Sequence, residues 1–325
     1  MILSQDQKQL SIFDEIRAGF AFVAVRARHV KIREDRLATY ARSLPVRHPA
    51  TVFDTEHHFI GTPEGTAAYV LTLDAVNFGS GYEPHLVREG WALVDQGIYF
   101  TLATRLKKRF EQGGISADYL SRIEQNEITQ LFELPQGPCG QELSGLFTQG
   151  VRDLGTLIAK EYEGSFLCFV EAAQGRAGNI VRQLQGLPQF QDAHEYQGRM
   201  IGFYKRAQIT AADLHLAFTK IGKTLFDDMK SLTMFPDNGV PQVLFMDGIL
   251  EYTPALMARI EKGEELSSGS AEEIEIRACA GHTVELLAAL MNMKAVDVDH
   301  ILWHRHAEDP VYVSKPSHRT RSTFY

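Results

Sequence analysis

The chain has 325 residues, 44% hydrophobic and 23% charged, with a formal net charge of −8. That length buries a sizeable core, and the acidic balance excludes a broad duplex-binding face while leaving room for a local phosphate site. Three well-separated cysteines (Cys139, Cys168, Cys279) give neither a disulfide framework nor zinc spacing, and no run reaches signal-peptide or transmembrane character; a cytoplasmic location with no membrane partner is expected.

In chain order, residues from about Gln5 to Leu44 are predicted mainly helical, with Pro45 as the stop and Phe20–Ile32 open to either helix or strand. The segment from Thr51 to Gly61, with adjacent His57 and His58, reads as a loop. Thr62-Pro63 is a helix start, and the helix it opens ends at the Gly79-Ser80-Gly81 turn, placing Asp74, Asn77 and Phe78 at a mouth rather than in mid-core. Helices are predicted over Glu89–Gln112, Ser116–Phe132, a run from Leu143 to Ile158, and Phe166–Leu187. Residues 1–325 read as a single compact domain, with 134–142 the natural seam if it parts into two helical lobes. Val240–Leu250 is predicted extended or irregular, Thr253-Pro254 starts a helix with Gly263 as its C-cap, and Ser270 with Glu273 caps a long one. The fold class is mainly α, with at most a few short strands.

The stretch Gly202–Phe218 gathers an aromatic pair, two cations (Lys205, Arg206) and Asp213. Thr210 with Asp213 three residues on resembles a capping box, which predicts a helix start near Thr210 and Asp213 in its first turn. Two readings stay open: a rigid carboxylate beside a pocket, or a helix-start acid with Lys205 and Arg206 as a solvated pair. Asp74 sits in an apolar segment and needs a partner, an internal arginine or a ligand offering N–H donors; Asn77 adds donor and acceptor capacity and Phe78 a stacking face. Arg277 reads as the partner of a neighbouring acid or as a ligand contact. His318, Arg319 and Arg321 form a basic tail that nevertheless finishes on two aromatics, Phe324 and Tyr325. His300, His304 and His306 lack the companions of a metal site, and no metal is expected. Phosphate-loop, dinucleotide, hydrolase-elbow and zincin motifs are all absent.

Five separated segments, LDAVNF, FVEAAQGRAGNIV, FYKRAQITAADL, GSAEEIEIRA and HRTRSTFY, are similar in that order to the queuosine salvage proteins, and the resemblance runs from about residue 60 to the end. It implies a helical DNA-glycosylase-like fold and hydrolysis of the N-glycosidic bond of queuosine 5′-monophosphate. The products would be queuine, for salvage into tRNA modification, and ribose 5-phosphate, with no cofactor. It further implies that Asp213 is the catalytic carboxylate and that Asp74, Asn77 and Phe78 hold the base, a 7-deazaguanine carrying a cationic amine and a diol. Lys205, Arg206, His318, Arg319 and Arg321 are the cations at hand for the phosphate and ribose. Where many members continue with aromatics after the LDALNF motif, this chain has Gly79-Ser80-Gly81-Tyr82, so Tyr82 or Trp91 is expected to supply that wall. The competing classes are a non-catalytic queuine-binding protein and a glycosylase acting on nucleic acid; the latter needs a long basic groove that the charge does not provide.

Overall fold

The computed structural model describes residues 10–45, 53–94 and 97–325. Sixteen α-helices and two short antiparallel strand pairs are found among them. Val30–Ile32 pairs with Leu250–Tyr252, and Ala193–Tyr196 pairs with Arg199–Gly202 across a Gln197-Gly198 turn. The mainly α architecture follows from locally capped starts. Thr62, Ser116, Thr253 and Ser270 each accept a hydrogen bond from the backbone N–H three residues on, opening helices at Pro63, Ala117, Pro254 and Ala271.

Four predicted elements differ. The Ser116–Phe132 run parts into Ala117–Arg122 and Gln125–Leu131, with Ile123 and Glu124 extended between them and Glu124 capping the second helix. Residues 89–112 do not form one helix: Glu83–Arg88 closes first and Ile98–Glu111 opens later, because Gly90 and Gly97 hold φ of 91° and 116°, outside the helical region. The Phe166–Leu187 run breaks into Phe166–Ala172 and Ala177–Leu184 at Gln174-Gly175. The 240–250 segment is a helix, Gly239–Met246, before its strand; Asp237 Oδ1 accepts from Gly239 N at 2.9 Å and starts it. Of the loop predicted over Thr51–Gly61, Thr51 and Val52 lie outside the described residues.

Apolar side chains collect into two buried clusters. One is drawn mainly from 12–23, 53–232 and the start of the Ala271–Met291 helix; the other from 30–44 and 234–312. That long helix serves both, with Ile274 and Ala278 on one side and Ile276, Cys279, Val284 and Leu287 on the other. Both flanks of residues 134–142 lie in the first cluster. A cavity opens where the clusters meet, with Phe53, Phe78, Leu102 and Ala212 from the first and Trp303 from the edge of the second.

Candidate active site

The central helix starts at Lys205, five residues earlier than its sequence suggests, and runs to Lys220. Its cap is remote. Asp192, at the foot of the preceding hairpin, accepts Lys205 N through Oδ2 at 3.2 Å and Phe203 N through its carbonyl at 2.8 Å. Tyr204 makes the turn between them in the left-handed region, with φ 47°. Thr210 is not a cap: its hydroxyl donates to Arg206 O one turn back, at 2.8 Å. Asp213 therefore stands in mid-helix, away from the positive end of the helix dipole. Lys205, Ile209, Ala212, Asp213 and Leu216 recur at helical spacing and line the cavity together.

The Pro63–Val76 helix packs against this one, and every residue from Thr66 to Val76 is buried. Asp74 is fully enclosed, contrary to the mouth position expected for it. Its Oδ1 accepts from Asn77 Nδ2 at 3.3 Å, whereas Oδ2 has no partner. Asn77 and Phe78 do reach the cavity. Gly81 then lets the C-terminal segment pass, since a Cβ there would lie 2.1 Å from Thr320 O.

The cavity has a volume of about 640 Å³, in the range that encloses a nucleotide-sized ligand. Aromatic walls come from Phe78, Tyr99, Phe100, Phe235, Trp303 and Tyr325. Five carboxyl groups line it (Asp54, Asp213, Asp237, Asp297, Asp299) against two lysines, Lys205 and the exposed Lys294. Burial, reinforced by the negative charge of Asp74, pushes the Asp213 carboxyl well above the usual range, with Lys205 opposing. Burial also raises Asp74 to about 7, with Asn77 and Arg206 favouring its ionised form. Two carboxyls in one apolar wall share protons rather than ionise together. Asp299 is raised by burial and by Asp237, and Lys205 is lowered chiefly by burial, with Asp237 opposing.

Lys205 and Asp213 thus share one wall with Asn77 and Phe78, and the other expected contacts stand apart. Arg206 is buried rather than solvated and sits behind Phe78. It donates to the carbonyls of Gln189, Thr323 and Asp74, and its guanidinium lies between the rings of Phe78 and Phe190, at 4.7 and 4.4 Å. Arg319 donates to Gly263 O at 2.5 Å, and Arg321 pairs with Glu265 at 3.0 Å. His318 is buried, and burial followed by the nearby Arg277 charge lowers it to about 3, so it is neutral near pH 7. None of Arg206, His318, Arg319 and Arg321 lines the cavity. Tyr82 and Trp91 do not supply the wall either: Tyr82 donates to Glu142 and Trp91 to Phe132 O.

What the tail delivers is Tyr325. Its hydroxyl donates to Glu273 Oε1 at 3.1 Å, and its ring and that of Phe203 both pack on Arg277, at 4.7 and 4.0 Å. Arg277 is an ion-pair residue: it meets Asp192 through two bonds of 2.9 and 2.6 Å, Glu273 at 3.1 Å and Pro236 O at 2.9 Å. Through those partners one enclosed guanidinium fixes the start of the Lys205 helix, the residue before Asp237, and Tyr325. Sequence reasoning missed Tyr99, Asp237, Asp299 and Trp303; the available signal was an acid beside the apolar stripe Ala295, Val298, Ile301, Leu302. His300 and His304 meet at 3.0 Å, and among the described residues no group of three or more His, Cys, Asp or Glu is arranged to hold a metal.

The raised Asp74 pKa makes a stability prediction. Its folded value, about 7, exceeds the ordinary 3.8, so ionising Asp74 costs folding free energy. That cost is absent below about pH 4, grows through neutrality and is complete above about pH 7. Asp74→Asn is expected to stabilise the protein by roughly 1–4 kcal/mol at pH 8 and by little at pH 4. Urea unfolding at the two pH values checks it; a variant less stable at pH 8 would contradict it.

Residues 57–325 match the family model described as queuosine salvage protein. A Sphaerobacter thermophilus protein named queuosine 5′-phosphate N-glycosylase/hydrolase is 36% identical over 317 residues, covering 93% of this chain and 95% of the relative. Proteins of the same name from Dictyostelium discoideum and Mus musculus are each 30% identical, covering 95% and 82% of this chain and 98% and 83% of theirs. Together, the family match and the near full-length similarity show that this chain belongs to the queuosine salvage protein family.

Proposed function

We propose that the protein hydrolyses the N-glycosidic bond of queuosine 5′-monophosphate, releasing queuine and ribose 5-phosphate for queuine salvage. The observation that carries this reading is a nucleotide-sized, aromatic-walled cavity in which the Asp213 carboxyl faces inward beside Lys205. Breaking the bond sends its electron pair to the base nitrogen and leaves oxocarbenium-like charge on the sugar. A fixed carboxylate stabilises or captures that charge, and water completes the sugar while the base gains a proton. Asp213 takes this role, held in position by a helix rather than by a loop. Asn77, supported by Asp74 beneath it, meets the polar edge of the base, and Phe78 meets its face.

The excess of carboxyl groups over lysines suits the cationic amine and diol of the base, for which Asp237 and Asp299 are the enclosed acceptors. The same excess repels a polyphosphate backbone, which favours a free nucleotide over duplex nucleic acid. Lys205 lies in the field of Asp213, Asp237 and Asp299, an unfavourable place for a dianion, so the 5′-phosphate falls to Lys294 at the rim. Lys294→Ala is expected to raise KM for the monophosphate about tenfold, with little change for unphosphorylated queuosine; equal effects on both would move the phosphate elsewhere. Cytoplasmic action suits three unpaired thiols, and no helix among the described residues is long and apolar enough to cross a membrane.

The deciding assay follows queuine release from queuosine 5′-monophosphate, beside guanosine monophosphate and queuosine. Release from the monophosphate, with the others slow or inert, is the expected result. Binding of queuine without release from any of them would overturn the enzyme reading and leave a base-binding protein.

A further inference from the structure

The histidine pair of the loop before the Pro63 helix has no part in the chemistry above, yet His58 lines the cavity and is buried. Its Nδ1 lies 2.9 Å from the backbone carbonyl of Asp54, a group that only accepts, so Nδ1 carries the proton. Burial lowers the imidazole pKa and keeps the ring neutral, leaving Nε2 with a lone pair. Tyr99 Oη lies 2.7 Å from that nitrogen. The phenol is therefore the donor, and its one proton is committed to His58. What Tyr99 retains for the cavity is an acceptor.

Tyr99 is the second residue of the Ile98–Glu111 helix, and its ring is braced by His58 and Phe100 at 5.5 and 5.4 Å between centroids. Tyr99 and Asp213 line the same cavity, and after burial the charge of Asp213 is the strongest influence on the Tyr99 hydroxyl. The proton stays on the phenol, so Tyr99 is not a base. A neutral acceptor in the same cavity as the carboxylate proposed to face the anomeric carbon has a short choice of donors, and among them are the ribose hydroxyls.

We infer that Tyr99, held by His58, accepts a hydrogen bond from a ribose hydroxyl next to the reacting carbon, and so selects ribonucleotides over deoxyribonucleotides. Tyr99 is then a specificity-determining residue and His58 its positioning residue. The inference rests on the reading of Asp213 as the group at the anomeric carbon. A site built to bond a hydroxyl discriminates against the analogue lacking it, because its acceptor is left unpaired.

The test measures binding, so that it is separate from turnover. Dissociation constants of queuosine 5′-monophosphate and its 2′-deoxy and 3′-deoxy analogues are compared for Asp213→Asn, with and without Tyr99→Phe. The expected result is a roughly tenfold preference for the ribonucleotide over one deoxy analogue, falling to under about threefold with Tyr99→Phe. Affinity for free queuine, which has no sugar, should stay unchanged. His58→Ala frees the phenol proton to turn inward and should weaken the same preference without any change at Tyr99. The inference is overturned if neither analogue is discriminated against, if Tyr99→Phe leaves the preference intact, or if queuine affinity falls as far as nucleotide affinity. Queuine release by the wild type is scored separately. Its absence would count against the hydrolase, while the sugar preference would still decide the role of Tyr99.

Discussion

Asp213→Asn should lower kcat for queuine release by roughly a hundred- to a thousandfold while leaving the fold and nucleotide binding in place, since loss of a group aimed at developing charge costs on this scale. The helix does not depend on this residue for its start: Asp192 supplies that, and Asp213 stands two turns further along. An amide therefore fits where the carboxyl stood, and it removes a charge that burial and Asp74 already disfavour. The variant should be at least as stable as the parent, the opposite of what a helix-capping role requires. The pH profile gives a second check. Activity needs the ionised carboxylate, so kcat/KM should rise with pH through a value above the usual carboxylate range. Removing the neighbouring charge with Asp74→Asn should move that limb to lower pH. A variant with normal turnover, or a limb that moves the other way, would remove Asp213 from the mechanism.

The largest effect on stability is expected from Asp192→Ala. Asp192 is 2% exposed and Arg277 has no exposed surface, so the substitution leaves an enclosed guanidinium with Glu273 as its remaining ion partner. Removing one member of a buried ion pair costs about 3–5 kcal/mol, a drop in Tm of about 4–7 °C for a chain of this size. The loss also reaches the cavity, because Asp192 caps the Lys205 helix and Arg277 holds both the carbonyl before Asp237 and the ring of Tyr325. Thermal unfolding measures the first effect, and queuine binding by the variant at low temperature measures the second. A shift of only a degree or two would mean that Glu273 alone satisfies the guanidinium.

Where the cause of an element lies within a few residues, it was legible in the sequence. Thr62, Ser116, Thr253 and Ser270 announce their helices because the capping hydroxyl and the N–H it accepts are three residues apart. The Lys205 helix was misplaced because its cap sits thirteen residues upstream across a hairpin, and because the left-handed residue that allows it is a tyrosine. The site divides in the same way. Asn77 and Phe78 fall within one contiguous motif just past the end of the Pro63–Val76 helix, Lys205 and Asp213 within another carried by one helix, and all four meet in the cavity. The tail cations were assigned by their charge, yet Glu265, Glu142 and the Gly263 carbonyl engage Arg319 and Arg321. Asp237, Asp299 and Tyr99 reach the cavity only through packing between distant segments, which no local pattern in a single sequence reports.

The cavity wall is assembled from residues numbered from 53 to 325, with Asp213 and Lys205 on a helix whose apolar side belongs to the first cluster and Asp237, Asp299, Trp303 and Tyr325 added by later segments. A ribosome makes these pieces in order, and closing contacts of such long separation form slowly. A nascent chain that has emerged only through its first 230 or so residues already carries Asp213 but has no chamber around it. Competence thus arrives late and all at once, with the docking of the last helices. A half-made chain would neither trap the nucleotide nor release its base.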